Sequence, residues 1–328
     1  MLTKKIKLST ATGGTPFIKQ APGMQPVWKQ CAFFINKEVS ECDLWVVYGG
    51  LGHIEKAQAS HTLFITNEPP SVKTYTKKFT DQFDAILTCH TMMHPNVIHS
   101  QQALPWWVGH KMKTDGTDDA AYEKTYDELI QLPTPPKKKL LSIIVSNKQF
   151  TRGHRMRYVF AQLLKKELGD QIDVFGIDQP LADKWDAIAP YKYHIVIENT
   201  AVDDYWTEKL ADAFLGESYP IYYGAPNIEN YFSHDALTAI DISRPDLAIR
   251  TIKELIKSDT YERSVTRLSE AKSLILNSYQ LFPMLAAYVA TLPQTPRRSI
   301  TLAPESESGI VKGIKRIWRK IKSLFLQR

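Results

Sequence analysis

The chain has 328 residues, 43% of them hydrophobic and 11% aromatic, which is enough for a sizeable core and argues against disorder. Three cysteines (Cys31, Cys42 and Cys89) are too few and too scattered for a disulfide framework or a cysteine-based zinc site, and they point to a reducing compartment. The formal net charge of +6 is a property of residues 309–328, which hold seven basic residues and no acidic one; elsewhere 34 basic residues face 35 acidic ones, so the body gives no electrostatic reason for a nucleic-acid partner.

The opening MLTKKIKLST has no long apolar run, so neither a signal peptide nor an anchor is expected there. Short apolar runs bounded by turn signals predict buried strands at 31–35, 44–50, 62–66 and 84–88. Amphipathic helices are predicted at 71–80 and 119–131. Residues 132–139, rich in proline and lysine, read as a linker. A second series follows, with strands at 140–146, 172–176, 193–198 and 219–224 and helices near 153–168 and 205–215. Such alternation predicts a parallel sheet covered on both faces, with ligands at the carboxyl ends of its strands.

The expected fold class is therefore α/β: two Rossmann-like domains facing a cleft, an N-terminal acceptor-side domain at 1–131 and a C-terminal donor domain at 140–290. The last helices of the second domain have the option of packing back on the first. Residues 291–308 are expected to be a mobile spacer. In 309–328, Ile310, Ile314, Ile317, Ile321 and Leu324 fall at helical spacing among lysines and arginines. This predicts an amphipathic helix lying on an anionic membrane, with a partner-binding helix as the alternative.

The densest chemistry lies in 193–232. A strand runs into Glu198 and Asn199, Asp203 or Asp204 is placed to cap the next helix, and Glu208 and Lys209 fall in its first turn. Free N–H groups and the helix dipole favour a phosphate there, and Lys209 adds a full charge. Glu208 suits sugar or ribose hydroxyls; its alternative role is to complement the helix dipole. In the first half, Glu68 follows a buried strand and precedes two prolines, a position from which a carboxylate can serve as base. Trp106 and Trp107 are candidates for an acceptor groove or for core. The loop histidines His90, His94 and His99 lack ligand spacing, so no metal site is expected.

Tyr205-Trp206-Thr207-Glu208-Lys209-Leu210, Ala213-Phe214, Pro220 to Pro226 and Tyr231-Phe232 resemble the signature of glycosyltransferase family 10, the α-1,3/4-fucosyltransferases. Glu198-Asn199 fits the same pattern; Trp206 stands where valine is usual, and Thr200 where serine is usual. SNKQFTRGHRMRYVFAQL resembles the family's upstream arginine segment, and Glu68-Pro69-Pro70 its glutamate–proline motif. The resemblance covers most of 60–235. It implies the GT-B arrangement and inverting transfer of L-fucose from GDP-β-L-fucose to a glycan hydroxyl, such as an N-acetylglucosamine or glucose unit of a surface polysaccharide or lipopolysaccharide. Glu68 would be the base. Arg155 and Lys209 would hold the diphosphate, and Asn199, Tyr205 and Glu208 would bind the nucleotide sugar, with no metal or other cofactor. A bacterial cytoplasmic enzyme, peripheral on the inner membrane face, is the implied setting. The rival readings are a different GDP-sugar and a non-catalytic, membrane-tethered sugar-nucleotide-binding protein.

Overall fold

In a computed structural model, residues 4–11, 17–103, 105–112, 118–147, 151–177 and 181–305 are described. The N-terminal half builds seven strands, β1 (Lys4–Thr10), β2 (Val27–Trp28), β3 (Cys31–Ile35), β4 (Glu41–Tyr48), β5 (Glu55–Ile65), β6 (Ala85–Thr88) and β7 (Val97–His99). They lie in the order β2-β3-β1-β4-β5-β6-β7, parallel except for β2. Val46, Val47 and Leu63 are fully buried, as befits strands covered on both faces. One face carries a core with Ile6, Leu8 and Tyr48; the other carries one with Trp45, Phe64 and Phe79.

The second half begins after a hairpin of β8 (His110–Met112) and β9 (Asp118–Tyr122). Its strands β10 (Lys139–Ile144), β11 (Ile172–Phe175), β12 (Tyr191–Ile197), β13 (Tyr219–Tyr223) and β14 (Thr238–Ala239) form an all-parallel sheet ordered β11-β10-β12-β13-β14. The helices are α1 (Lys77–Thr80), α2 (Tyr126–Gln131), α3 (Arg152–Leu168), α4 (Lys184–Ile188), α5 (Glu208–Leu215), α6 (Pro245–Leu255), α7 (Thr260–Leu274) and α8 (Leu281–Thr291). Thr125 starts α2 with a capping box closed by Glu128.

Several expectations are corrected. Only Lys77–Thr80 of 71–80 is helical, and 119–131 divides into the end of β9 and α2. Trp106, Val108 and Leu129 belong to the core of the second half, so the first domain does not extend undivided to residue 131. The 132–139 linker, whose lysines are expected to be solvated, is bonded to the second half: Thr134 Oγ1 donates to Glu217 Oε2 at 2.6 Å, and Lys137 Nζ donates to Ala189 O and Gly216 O. Residues 291–308 do not act as a free spacer throughout, because β15 (Arg298–Leu302) joins the first sheet antiparallel to β5 and buries Ile300 and Leu302. Alternation of apolar and polar residues in Ser299–Leu302 is a short strand signal that the surrounding prolines mask. Residues 309–328, read as an amphipathic helix, lie outside the described residues; among those described, no helix is long and apolar enough to cross a membrane.

The two halves are tied at several points. Leu281, Phe282, Leu285 and Val289 of α8 pack into the first domain's core, with Phe282 meeting Phe33 edge-on at 4.8 Å. Within the second half, Asp212 on α5 accepts from Trp107 N at 2.8 Å and Val108 N at 3.1 Å, which holds the segment that the first half reaches. Lys19, buried in the first half, donates to Val108 O at 2.7 Å. The packing of α8 and the bond from Lys19 join the two halves.

Candidate active site

At the carboxyl end of β12 the chain enters Glu198 and Asn199, and α5 starts just beyond. Thr207, not Asp203 or Asp204, is the cap: its side chain accepts from Lys209 N. Asp204 turns away with a positive φ of 63° and accepts from Tyr231 OH at 2.6 Å. Glu198 is completely buried. It accepts from Thr207 N at 2.8 Å, its two oxygens lie 2.9 and 2.8 Å from the Thr207 hydroxyl, and Lys209 Nζ reaches it at 3.1 Å. Lys209 Nζ also touches Thr207 Oγ1 at 2.8 Å and Glu208 Oε1 at 3.3 Å.

Electrostatics decide the charge states. Burial pushes the Glu198 carboxyl up, and Lys209 opposes it. Burial also works against charge on Lys209, but Glu198 and Glu208 outweigh it and raise its pKa. At Glu208 burial pulls upward, yet Lys209 and Lys184 prevail and hold it at about 2. Lys184 Nζ lies 3.8 Å from Glu208 and 3.0 Å from Asp212. The start of α5 thus presents an ammonium and a fixed carboxylate side by side.

The start of α3 converges on the same strand end. Thr151 caps it by accepting from His154 N. Gly153 packs on the Asn199 carbonyl so closely that a Cβ there would sit 1.8 Å from the oxygen, so only glycine allows the approach. Two helix N-termini, each with free N–H groups, therefore flank the end of β12. The structure brings Arg157 into the buried cluster: its Nη1 donates to Asn199 Oδ1 at 3.1 Å and its Nη2 to Ser146 Oγ at 3.3 Å. Arg155 stands on the exposed side of the same first turns. The sequence marks both arginines, but only the helical phase, which turns Arg157 toward Phe160 and Leu164, separates the inner from the outer one.

Across the cleft, β5 ends at Ile65 and leads to Asn67 and Glu68. Glu68 is half-buried, and its carbonyl lies 2.7 Å from His90 Nε2. A carbonyl accepts only, so that nitrogen carries the proton. Burial lowers the His90 pKa and keeps the ring neutral. Gly49 has a φ of 71°, and a Cβ there would meet the Asn67 side chain at 2.5 Å. The charge of Glu68 acts on the buried phenol of Tyr205, which precedes α5, as do Glu198 and Glu208. Glu68 is thus within electrostatic range of the segment that leads into α5.

Other candidates fall elsewhere. Trp106 is core rather than acceptor groove: it is 1% exposed and its Nε1 donates to Lys124 O at 3.1 Å. Trp107 is half-buried against His110, its backbone held by Asp212. Trp206 fills an aromatic cluster with Tyr231, Phe232 and Tyr279. Asp84 is structural, bonded to Thr62 and Arg298. Among the described residues, no group of three or more histidine, cysteine or carboxylate side chains could hold a metal ion.

Residues 134–267 match the family described as "Glycosyltransferase family 10 (fucosyltransferase) C-term". The C-terminal domain belongs to glycosyltransferase family 10. Every residue of the β12–α5 cluster described above lies in this family 10 domain. Over 135 residues the chain is 30% identical to 4-galactosyl-N-acetylglucosaminide 3-alpha-L-fucosyltransferase 9 of Mus musculus, 38% of this chain and 35% of that one. It is 36% identical over 74 residues to GDP-fucose protein O-fucosyltransferase 3 of Xenopus tropicalis, 22% of this chain and 16% of that one. An Alpha-(1,4)-fucosyltransferase of Arabidopsis thaliana is 49% identical over 45 residues, 14% of this chain and 11% of that one. Each of these matches therefore spans well under half of the relative. A crystal structure of an alpha1,3-fucosyltransferase with GDP superposes with a TM-score of 0.50 at 17% identity, covering 85% of this chain and 92% of that chain. That likeness extends the family's two-domain GT-B fold over the first half, which the family match does not reach.

Proposed function

We propose that this chain transfers L-fucose from GDP-β-L-fucose to a hydroxyl of a glycan acceptor, with inversion at the anomeric carbon. The observation that carries this reading is the buried Glu198–Thr207–Lys209 cluster between two helix N-termini at the end of β12, with Glu68 of the first domain within electrostatic reach of Tyr205. In the reaction, the acceptor oxygen attacks the anomeric carbon from the face opposite the nucleotide. Glu68 takes the acceptor proton as the new C–O bond forms and the bond to the diphosphate breaks. The leaving GDP gains negative charge, which the N-termini of α3 and α5, Lys209 and an arginine of α3 stabilise without a metal. Glu208, ionised and beside Lys209, is suited to accept hydrogen bonds from hydroxyls of the fucose or ribose. Tyr205 and Asn199 shape the wall against which the nucleotide sugar rests.

An acceptor in a surface polysaccharide or lipopolysaccharide, and action at the inner membrane face through 309–328, complete the reading; the basic composition of that tail supports the second part. Turnover of a panel of GDP- and UDP-sugars, with and without excess chelator, tests it. Chelator-resistant consumption of GDP-fucose above every other donor is expected. Preference for another donor, or activity that manganese restores, would overturn it.

A further inference from the structure

The chain crosses between the two cores twice. It passes from Ala103, in the core of the first domain, to Trp106, in that of the second, and returns from Leu276 in the second to Leu281 in the first. The crossings are bonded to each other, with Gln101 Nε2 donating to Tyr279 O at 2.8 Å. Tyr231 of the second domain meets both. Its hydroxyl accepts from Gln101 N at 3.2 Å, its carbonyl accepts from Tyr279 OH at 2.8 Å, and its ring lies edge-on to Trp206 and Tyr279, 5.7 Å from each. The same hydroxyl donates to Asp204 Oδ1 at 2.6 Å. Asp204 lies in the turn between β12 and α5 and holds a left-handed backbone, φ 63°, which persists in a residue with a side chain only where the surroundings fix it. Asn227 completes the fixing: its Nδ2 donates to Asp204 Oδ1 at 2.9 Å, and its Oδ1 accepts from Asp204 N at 2.8 Å.

We infer that Tyr231 is a positioning residue for the transfer: through Asp204 it sets the turn that leads into Tyr205 and α5, and through Gln101 and Tyr279 it fixes that turn against the two crossings between the domains. The inference rests on the glycosyl-transfer reading above. In that reading the reacting groups come from different domains, the base from the first and the leaving-group cations from the second. The rate then depends on how the junction registers one against the other, and a misplacement of about 1 Å far from the chemistry is enough to lower it. Tyr231 acts without touching the donor, since its hydroxyl is engaged with Asp204 and Gln101. A phenylalanine would fill the same place in the aromatic cluster, so what the hydroxyl adds is the link between the turn and the first crossing. GDP is held in the same reading by the helix starts of the second domain, and its binding does not draw on that link.

The test is Tyr231→Phe in the full chain, with GDP and GDP-fucose as probes. The variant keeps the ring against Trp206 and Tyr279 and removes the bonds to Asp204 and Gln101. The kcat for consumption of GDP-fucose is expected to fall roughly tenfold, the loss of a hydrogen bond to a charged group, while GDP affinity and the donor KM stay within about twofold. Asp204→Asn keeps an oxygen for Tyr231 and suits the left-handed backbone, so its kcat should stay within about twofold of wild type. A role confined to stability would lower the melting temperature of Tyr231→Phe and leave its kcat unchanged well below that temperature. That result, a loss of GDP affinity in place of kcat, or an equal loss of kcat in Asp204→Asn overturns the inference while leaving the transferase reading standing. Wild-type protein that binds GDP-fucose no better than GDP and does not consume it overturns both.

Discussion

Lys209 Nζ lies 3.1 Å from Glu198 Oε2, and that carboxylate has no exposure to solvent at all. Thr207 bonds both residues, so the cap of α5 and the ion pair form one unit. Removing the ammonium leaves a buried carboxylate with a threonine alone. Lys209→Ala is therefore expected to cost about 3 kcal/mol in urea denaturation, the lower end for a broken buried pair, and to weaken GDP binding. Adding Glu198→Gln should return part of the stability but none of the affinity. A Lys209→Ala protein with wild-type midpoint would show that the pair contributes little to the fold.

Glu68→Gln should nearly abolish transfer, by about 10²–10⁴ in rate, while GDP affinity stays within a factor of about two. The side chain is half-buried and its backbone is fixed by His90, so the amide will occupy the same place. The capacity to take a proton is lost together with the negative charge. Turnover at the wild-type rate would remove Glu68 from the mechanism.

The inner strands were legible in the sequence because parallel sheets covered on both faces demand unbroken apolar runs; 31–35 matches β3 to the residue. Two other strands of the first sheet were not, although one of them, β1, lies between β3 and β4. Lys4–Thr10 carries alternating lysines, of which Lys7 is buried against Glu55, and charge hides its strand character. β15 escapes notice because it is held by pairing with β5, a contact that spans more than 200 residues of sequence. The donor-side cluster was legible as a motif, but its inner wiring was not. Nothing local distinguishes Thr207 from Asp203 or Asp204 as the cap; the choice is made by Glu198, which bonds Thr207 from the preceding strand.

Arg155 and Arg157 should separate by their effects on stability. Arg155 is exposed, where a polar contact or ion pair contributes little, so Arg155→Ala should shift the melting temperature less than Arg157→Ala while GDP binding weakens by roughly tenfold, the loss of one charge-assisted contact. Arg157→Ala takes away the bonds to Asn199 and Ser146 inside the cluster, and both stability and GDP affinity should fall. Unchanged GDP affinity in both variants would mean that α3 does not face the diphosphate.

Lys137 offers a pH test of the domain junction. Burial, only partly offset by Glu217, brings its pKa from 10.5 down to about 7. Between these two values the unfolded chain holds a proton that the folded chain lacks. Stability should therefore rise with pH across that window and level off below about 7, where both states are charged. Urea midpoints at pH 7 and pH 9.5, compared with those of Lys137→Met, isolate the effect. A wild-type protein that gains no stability over the variant at the higher pH would show that Lys137 stays protonated among its carbonyl partners.

Deleting residues 306–328 should release the protein from anionic vesicles and leave turnover on a small soluble acceptor intact. The cut is set by the fold: Ile300 and Leu302 are buried in β15, and Glu305 Oε1 accepts from Thr76 N at 2.6 Å, so a break after Glu305 spares both contacts. The deleted segment contains all seven basic residues of 309–328. Each contributes about 1 kcal/mol near an anionic surface before screening, and the isoleucine stripe adds burial at the headgroup boundary. Binding of the intact chain should weaken as salt rises, because surface charges more than about 10 Å apart are screened at 0.1 M. Retention of the shortened chain on vesicles would move the membrane contact elsewhere. Loss of soluble turnover in a shortened chain that keeps its melting temperature would make the tail part of the active unit.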